Sequence, residues 1–535
     1  MTDDLFSPSD VRQMAELGIA PEEAARHVEL FRNPPPFTRL LRPCRPGDGI
    51  RTLREDEHPR LLERFDAACR RGRIGKLVPA SGAASRMFKA LQSYLDLLEA
   101  GGAAPGSEQA MDPPMPEDVA GFFANLPRFA FFADLAAAVA RRGLDLASGA
   151  GGLNPEARRI VLAHLLTAAG GAGLDYAELP KGLILFHRYP DRPRTPFEEH
   201  LVEAAEYTRD DTGLCRLHLT VSPQHEGAFR RLLASVAPRW EERAGAHFAV
   251  SFSHQRRSTD TLAVESDNRP FRLADGSLLF RPGGHGALLE NLQELAKTGA
   301  DVVLLKNIDN VVPDRLKPPV VLWKKLLAGY LLELAARAGE LLAALDADLP
   351  DTELMEEARG FLERDLGRRL PGGSAAASVA ERKRLLVAGL ERPLRVCGVV
   401  RNQGEPGGGP FWVESAAGEI SPQIVEISQI EPRSGEQQAI LRDSTHFNPV
   451  DIACALRDRA GRPFDLARFV DPSTVFIAAK SHEGRPLKAL ERPGMWNGAM
   501  AGWNTAFVEV PDETFAPVKT VLDLLRPEHQ PDSAS

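Results

Sequence analysis

Short apolar runs with strand character alternate with helical segments through much of this chain. The runs are KLV at 76–78, GLILFH at 182–187, CRLHLTV at 215–221, HFAVSFS at 247–253 and ADVVLLKNI at 300–308. Helical stretches such as GAFRRLLASVA fall between several of them. Strands that alternate with helices usually form a mainly parallel sheet with helices packed on both faces. The sequence therefore predicts an α/β fold.

Helix-rich blocks interrupt this alternation, and they divide the chain into predicted segments. These are an N-terminal helical region at 1–75, a first core segment at 76–320 with a helical insertion at about 90–178, a helical block at 321–392, a core completion at 393–527 and a tail at 528–535. The tail ends in PDSAS, which we expect to be disordered. The insertion must leave and re-enter the core close to the loop that follows KLV.

The composition disfavours several classes of protein. With 535 residues, 43% hydrophobic and 26% charged, the chain can bury a large core. Its formal charge of -9 argues against a nucleic-acid partner but leaves room for a local basic pocket. The five cysteines lack CxxC spacing, and no apolar run approaches the roughly 18 residues of a membrane span. We therefore expect a cytoplasmic protein without a membrane partner.

Polar residues stand where predicted strands end, which is where open α/β sheets bind ligands. KLV is followed by the small residues of PASGAAS and then by Arg86, Lys181 precedes GLILF, and Asp309 follows VVLLKNI. The pair His254–Gln255 follows VSFS, and RPGGHG follows SLLF. An arginine can bind phosphate oxygens in a bidentate way, glycines allow close backbone approach, and a carboxylate can hold Mg²⁺. These residues together favour a phosphate and metal site.

Each of these residues also has a plainer interpretation. Residues 76–89 can be an ordinary strand-to-helix turn with a surface arginine, and Asp309 can be a turn-forming residue. Other catalytic classes lack their motifs, because GxxxxGK[ST], GxGxxG and GxSxG do not occur.

Four groups of residues, in the same order along the chain, resemble the UDP-sugar pyrophosphorylase group of nucleotidyltransferases. PASGAASRM is similar to the small-residue nucleotide loop of that group, and LPKGLI with RTPFEEHL is similar to its Pro-Lys element and the following helix start. FSHQ, RPGGHGALLENL and LLKNIDNVVPD resemble its Gln, Gly-His-Gly and Asn-x-Asp-Asn run. TFAPVKTVLDLL resembles its Pro-Val-Lys-Thr-x-x-Asp-Leu element. The resemblance implies a GT-A-like, Rossmann-related core.

The chain departs from that family pattern in two places. Ser81 and Ala84 stand where the family has glycines, which adds bulk where nucleotide phosphates pass. The Pro-Lys element also follows Arg86 only after the helical insertion. Both differences concern the substrate pocket.

The resemblance assigns roles residue by residue. Arg86 would contact the leaving pyrophosphate, Lys181 would stabilise charge on the α-phosphate, Asp309 would bind Mg²⁺, and Lys519 would hold phosphates. The expected nucleotide-binding residues are Ala80, Ser81, Gly82, Ala83, Ser85, Gln255, Gly284, His285 and Gly286. The last four would read the base edge, which favours UTP.

Asn, His and aromatic residues are dense after position 395, as in EPGGGPFWVE and STHFNPVD. Buried Asn and His most often satisfy backbone groups, yet a sugar pocket needs hydrogen-bonding side chains. The candidates for binding the acceptor are Glu426, His446, Asn448, Asn497 and Asn504. Asp443 or Asp451 is a candidate second metal ligand.

The resemblance therefore implies an enzyme that transfers a nucleoside monophosphate, with UMP expected, from a nucleoside triphosphate to a phosphorylated acceptor such as a sugar 1-phosphate. The alternative is a nucleotide-sensing or scaffold protein that kept the binding loops and lost catalysis. The sequence predicts neither the identity of the acceptor nor the oligomeric state.

Overall fold

The structure is a computed structural model, and it describes residues 5–101, 113–146, 152–346, 351–371, 378–404 and 407–531. Parts of the predicted insertion and the last four residues of the predicted disordered tail lie outside these ranges. The chain forms two compact units. The first unit contains Met1–Leu77, Ser253–Leu305 and Trp323–Asp512, and the second contains Val78–Phe252, Lys306–Leu322 and Glu513–Ser535.

Helices account for much of the described chain. They are α1 (Pro8–Leu17), α2 (Pro21–Arg32), α3 (His58–Arg70), α4 (Lys89–Gly101), α5 (Glu117–Ala124), α6 (Phe132–Ala140), α7 (Pro155–Leu166), α8 (Pro196–Tyr207), α9 (Pro223–Ala244), α10 (Leu288–Lys297), α11 (Lys317–Leu345), α12 (Thr352–Arg364), α13 (Val379–Leu390) and α14 (Gly435–Arg442). No helix within the described ranges is both long and apolar enough to span a membrane.

The strands are shorter and fall mostly between the helical blocks. They are β1 (Leu40–Pro43), β2 (Arg45–Pro46), β3 (Gly49–Arg51), β4 (Ile74–Pro79), β5 (Leu214–Thr220), β6 (His247–Ser253), β7 (Thr261–Leu262), β8 (Phe280–Arg281), β9 (Val302–Lys306), β10 (Leu394–Arg401), β11 (Gly408–Glu414), β12 (Ile420–Glu426), β13 (His446–Ala455), β14 (Phe476–His482), β15 (Arg485–Glu491) and β16 (Asn504–Glu509).

The first unit is built on a mixed sheet in which neighbouring strands follow the order β2-β3-β16-β10-β13-β9-β4. The pairs β4 with β9, β10 with β16, and β16 with β3 are parallel, whereas β10 with β13 is antiparallel. Strands β4, β9 and β10 are almost entirely buried, as expected for strands covered on both faces. Smaller antiparallel ladders join β1, β11 and β12, β14 with β15, and β7 with β8.

The second unit contains β5, most of β6 and the helices α4 to α9. Its core includes the stacked rings of Phe129 and Phe131, whose centroids are 5.0 Å apart. Helix α8 is unusual because most of its residues are buried, including Glu198, Glu199 and Glu203. Buried carboxylates need charged or hydrogen-bonding partners, so this helix organises polar contacts inside the unit.

The predicted α/β class, with a mixed and mainly parallel sheet and inserted helical blocks, is confirmed, but one predicted strand is wrong and another is shorter than predicted. Residues 182–187 are not a strand, because Lys181–Leu183 form one 3₁₀ turn and only His187 makes an isolated bridge. A Cβ on Gly182 would lie 2.9 Å from the ring of Phe229, so the chain turns here in close contact with α9. The SLLF run contributes only to β8, whose partner is β7 rather than the main sheet.

Candidate active site

The loop after β4 is fixed at both ends and open at its centre. The amide of Ala80 donates to the carbonyl of Thr220 at 2.8 Å, and the amide of Ala84 donates to the carbonyl of Leu179 at 3.0 Å. Between them, no heavy atom lies within 4 Å of the position that a Cβ on Gly82 would take. The backbone of this loop is therefore open to close approach by a ligand.

The exposed end of this loop carries a free cation. Arg86 ends the 3₁₀ turn Ala84–Arg86, and both it and Ser85 are exposed, whereas Ala84 is buried. Among the described residues, none makes a hydrogen bond or an ion pair with the Arg86 guanidinium. Ser81 is half-buried, and Ala83 is exposed and bridges to Pro180. The fixed loop thus presents an arginine without a protein anion.

Lys181 joins three separate segments of the second unit. Its Nζ donates to Oδ2 of Asp309 at 2.7 Å and to the carbonyl oxygen of Val518 at 2.6 Å. The side chains of Lys181 and Asp309 are 15% and 13% exposed, so the pair is shielded from bulk water without being sealed off. The tight packing of Gly182 against Phe229 explains why the lysine is held here. An ammonium has three donors, and one of them is left for a ligand.

Asp309 is presented by a turn directly after β9. Its carbonyl accepts from the amide of Val518 at 3.2 Å, and Oδ1 of the buried Asn310 accepts from the amide of Ala516 at 3.1 Å. These bonds tie the end of the strand to the C-terminal segment. The position of Asp309 is therefore fixed by its own carbonyl and by the side chain of the following residue.

Lys519 lies on that same C-terminal segment. Its amide and that of Thr520 donate to Oδ2 of Asp523, and the amide of Val521 donates to the carbonyl of Met87 at 3.1 Å. The Lys519 side chain is exposed, and its ammonium has no partner within the described parts of the chain. The segment thus carries a free cation between contacts to Asp309 and to Met87.

Backbone contacts therefore gather four predicted residues, Arg86, Lys181, Asp309 and Lys519, within the second unit. Three cations and one carboxylate leave two positive charges, in a chain whose formal charge is -9. A local positive excess on an acidic protein favours binding of a multiply charged anion.

The donor set at Asp309 fits a magnesium ion that is shared with a phosphate ligand. Across the described residues, no group of three or more His, Cys, Asp or Glu side chains could hold a metal ion. Magnesium usually binds through one or two carboxylates and completes its shell with substrate phosphates and water. Asp309 is such a carboxylate, and Lys181 occupies only its Oδ2.

A buried polar network holds the residues that follow Asp309, and no pattern in the sequence predicts it. Glu199 accepts from His187 Nδ1 and from the Tyr189 hydroxyl, both at 2.9 Å, and from Nζ of Lys317 at 2.5 Å. Burial alone would raise the pKa of Glu199, but Lys317 and His187 outweigh burial and lower it to about 2. Nε2 of His187 lies 2.9 Å from Nδ1 of the buried His529. The only sequence signal was RTPFEEHL, which indicated a helix start.

His529 gives the stability of the protein a defined pH dependence. Burial, His187 and Arg526 lower the pKa of His529 to about 3, whereas an unfolded histidine titrates near pH 6.5. Between these values only the unfolded chain takes up the proton, so the stabilisation is complete above pH 6.5 and is lost as the pH falls. When the pH falls from 6.5 to 5, this histidine should cost the wild type about 2 kcal/mol in its free energy of unfolding, and His529→Asn should not show that loss. Urea unfolding of both proteins at the two pH values measures the difference. Parallel pH profiles for the two proteins would contradict this assignment.

In the first unit, three predicted residues lie close together. The ring of His285 stacks on Trp496 with centroids 4.2 Å apart, and its Nε2 is 3.6 Å from Oε1 of Glu426. Burial would raise the pKa of Glu426, but His285 and neighbouring donors lower it, so the carboxylate is ionised. Asn497 follows Trp496 and donates to Oε1 of Gln429 at 3.0 Å, while its own Oδ1 has no partner among the described residues. This cluster offers a carboxylate, an amide and an aromatic face.

The glycines around His285 have a packing role. A Cβ on Gly286 would lie 2.2 Å from the carbonyl oxygen of Pro493, and one on Gly284 would lie 2.8 Å from Oε2 of Glu491. Gly284 also has a φ of 74°, which favours glycine. Close contact with the 491–493 segment therefore accounts for both glycines without a ligand.

The remaining predicted residues of the first unit are mostly buried and already bonded. Asn504 accepts from Nε of Arg368 and donates to the carbonyl of Gly389, both at 3.0 Å. Asn448 bonds to the backbone of Gly398 and Val450, and His446 lies 3.4 Å from Glu509. Gln255 is half-buried between β6 and the next turn. Of the two candidate second metal ligands, Asp443 pairs with Arg45 and Asp451 pairs with the buried Lys324.

The fold and the charged cluster define an α/β protein with a cationic candidate site for a polyanionic ligand. Residues 7–530 match the family described as Domain of unknown function (DUF4301), and the chain belongs to that family. No curated protein matches the chain.

Several solved structures are similar to this chain, and they are UDP-sugar pyrophosphorylases. An inhibitor complex of the uridine diphosphate N-acetylglucosamine pyrophosphorylase from Trypanosoma brucei is 14% identical, with 97% of this chain and 79% of that chain covered and a TM-score of 0.48. A variant of UDP-glucose pyrophosphorylase from Leishmania major in complex with UDP-glucose is 13% identical, with 97% and 79% covered and a TM-score of 0.44. The open and closed structures of the Leishmania major enzyme give 12% identity, 97% and 77% coverage and a TM-score of 0.43.

Proposed function

We propose that this protein is a nucleotidyltransferase that transfers a nucleoside monophosphate from a nucleoside triphosphate to a phosphorylated acceptor such as a sugar 1-phosphate. The single observation that carries the proposal is the contact of Lys181 with both Asp309 and the carbonyl of Val518, beside the free cations Arg86 and Lys519. Three segments that are far apart in the chain meet there, namely a turn, the end of a strand and the C-terminal segment. No local sequence pattern brings them together. Phosphoryl chemistry is a use that suits this set of charges.

In the proposed reaction, a phosphate oxygen of the acceptor attacks the α-phosphorus of the triphosphate, the bond to the β-phosphate oxygen breaks, and pyrophosphate leaves. Attacker and target are both negatively charged, so the protein must position them and neutralise their repulsion. Arg86 and Lys519 bind the departing pyrophosphate, and Lys181 stabilises charge on the α-phosphate. Asp309 would hold Mg²⁺, which when bound supplies further neutralisation of the phosphate oxygens.

The preference for UTP rests on the resemblance of Gln255 and of Gly284, His285 and Gly286 to the base-reading elements of the pyrophosphorylases. Glu426 and Asn497 stay predictions as acceptor contacts, since His285 and neighbouring donors engage Glu426 and Oδ1 of Asn497 is buried. His446, Asn448 and Asn504 stay predictions, because their side chains are bonded within the protein.

The decisive experiment is pyrophosphate release from each nucleoside triphosphate with a panel of sugar phosphates, followed by exchange of labelled pyrophosphate into the triphosphate with the active acceptor present. The acceptor is required because direct displacement forms no enzyme-bound intermediate. We expect the rate with UTP to exceed the rate with the other nucleotides. The second candidate, a nucleotide sensor, is favoured by the serine and alanine that replace family glycines in the loop after β4. A wild-type protein that binds UTP in calorimetry and neither releases nor exchanges pyrophosphate with any nucleotide and acceptor of the panel would favour the sensor and contradict the enzyme.

Lys181 should compete with a metal ion for Asp309. In the Lys181→Met variant, the carboxylate loses its paired ammonium, so we expect the apo protein to bind Mn²⁺ at least about tenfold more tightly. A unit charge at ion-pair distance contributes on the order of 1 to 4 kcal/mol, depending on the effective dielectric. Electron paramagnetic resonance of free Mn²⁺ measures this affinity without any need for turnover.

Two further variants make that measurement specific. Lys297→Met removes a lysine that pairs with Glu294 on the surface, and it should leave Mn²⁺ affinity unchanged. Lys181→Met combined with Asp309→Asn should lose the gain. Equal Mn²⁺ affinity in the wild type and in Lys181→Met would remove Asp309 as the metal ligand.

A further inference from the structure

The C-terminal segment 513–531, which we call the strap, has no α-helix or β-strand. It contains the 3₁₀ turns Val521–Leu525 and Pro527–His529, the end of the turn Asp512–Thr514, and an isolated bridge between Pro517 and Asn310. Its shape is therefore set by contacts with the rest of the second unit rather than by regular hydrogen bonding of its own.

The first fastening of the strap is to the beginning of the stretch 309–317. The amide of Val518 donates to the carbonyl of Asp309, the amide of Ala516 donates to Oδ1 of Asn310, and Lys181 donates to the carbonyl of Val518. These contacts lie immediately before Lys519.

The second fastening is to the end of the same stretch. Arg315 donates to the carbonyl of Pro527 at 2.6 Å, and His529 reaches Lys317 through His187 and Glu199. Lys317 in turn donates to the carbonyl of Val312 at 2.8 Å. The strap is thus closed onto one short stretch at both ends, and that stretch begins with the candidate metal ligand.

Hydrogen-bond chemistry explains why a histidine closes the second fastening. Because Glu199 is a carboxylate, Nδ1 of His187 carries the proton that it donates. Nε2 of His187 and Nδ1 of the buried His529 share a hydrogen bond at 2.9 Å, and the two rings stack with centroids 5.2 Å apart. An apolar residue of similar size could fill this space but could not make the hydrogen bond to His187, so packing alone does not account for the histidine.

We propose that His529 is a positioning residue, which holds the strap closed on residues 309–317 and thereby sets the position of Lys519 relative to Asp309. The role assigned to Lys519 rests on the proposed function, whereas the closure of the strap does not. His529 contacts no reacting atom in this scheme. It acts through the fixed length of chain between itself and Lys519.

The closure is tested by hydrogen exchange, which is independent of any activity. In His529→Ala, we expect the amides of Val518 and Val521 to exchange at least tenfold faster, because their acceptors on Asp309 and Met87 are no longer held opposite them. His529→Asn keeps a donor near the place of Nδ1 and should restore slow exchange. Unchanged exchange at both amides in a folded His529→Ala protein would overturn the proposal.

The link to Lys519 is tested by a double-mutant cycle that measures binding of inorganic pyrophosphate by calorimetry. We expect Lys519→Ala and His529→Ala each to weaken binding by about tenfold, and the double variant to be no weaker than Lys519→Ala alone. Effects that multiply would show that His529 does not act through Lys519.

A structural histidine of the same unit provides the matched control. His164 is buried in α7, and its Nδ1 lies 2.8 Å from the carbonyl of Ile160. His164→Ala should destabilise the unit without changing pyrophosphate affinity or exchange at Val518. If the wild type binds no pyrophosphate, the proposed function fails, while the exchange rates still decide whether His529 closes the strap.

Discussion

Asp309→Ala should reduce pyrophosphate exchange by about one and a half to three orders of magnitude while the protein stays folded. Removal of one preorganised charge from a site of this kind typically costs on the order of 2 to 4 kcal/mol in the transition state. Asp309 is also the partner of Lys181, so its loss leaves an uncompensated ammonium where the α-phosphate is proposed to bind. The effect should therefore fall on the rate of the chemical step, measured as exchange at saturating nucleotide and acceptor.

The matched control for Asp309→Ala is Asp191→Asn. Asp191 pairs with Arg239 on the surface of the same unit, so its replacement also removes a carboxylate from an ion pair. It should exchange pyrophosphate at the wild-type rate. Circular dichroism and urea unfolding of both variants separate loss of chemistry from loss of fold. A wild-type exchange rate in Asp309→Ala would exclude this carboxylate from the mechanism.

Comparison of the wild type with Asp309→Ala separates the enzyme from the sensor. If Asp309→Ala binds UTP in the presence of Mg²⁺ as the wild type does, and if neither protein exchanges pyrophosphate, the carboxylate has no role in nucleotide binding and the sensor is favoured. An enzyme should instead show strong exchange in the wild type that is lost in the variant. Calorimetry with UTP, run with and without Mg²⁺, provides the binding measurement.

Strand positions were predictable where apolar residues recur in a segment that forms a strand. The runs at 215–221, 247–253 and 300–308 all contain strands, and β9 is fully buried whereas β6 consists of exposed and half-buried residues. The run at 182–187 has the same composition and forms a turn instead. Its shape is decided by the fit of Gly182 against Phe229 and Ile308, and neither contact has any trace in the local pattern.

The chemistry of the site was only partly visible in the sequence. Arg86 and Asp309 follow buried strands, and the strand-end rule identifies them as candidates. The second partner of Lys181 was not predictable, because the Val518 carbonyl lies 337 positions away and any residue could supply it. In the sequence, Glu198 and Glu199 resemble ordinary acidic residues in the first turn of a helix. In the structure both side chains are buried, and they pair with Arg192 and Lys317.

The burial of His529 could not be predicted from the sequence. It falls in the stretch 528–535 that was assigned to a tail, and a histidine near a chain end carries no pattern that predicts burial. The structure places it among His187, Glu199 and Lys317, which come from two other parts of the second unit. The positioning role proposed for His529 therefore follows only from its tertiary contacts.

The largest loss of stability should come from Lys306→Met, which breaks a buried ion pair by removing its cation. Nζ of Lys306 donates to Oε1 of Glu203 at 2.7 Å, and the two side chains are at most 1% exposed. Tyr207 donates to the other oxygen of Glu203 at 2.9 Å, which cannot replace a charge. Breaking a buried pair by removing one partner typically costs about 3 to 5 kcal/mol. Urea unfolding at pH 7 measures this loss.

The double variant Lys306→Met with Glu203→Met shows whether the broken ion pair is the cause of the loss. Replacement of a whole buried pair by apolar side chains of similar size is often neutral or stabilising, so the double variant should recover most of the loss. Lys297→Met, which breaks an exposed pair, should unfold as the wild type does. If the double variant is as unstable as Lys306→Met, the loss of stability comes from packing at the end of β9 and not from charge. The position of Asp309, three residues later, would then depend on that packing.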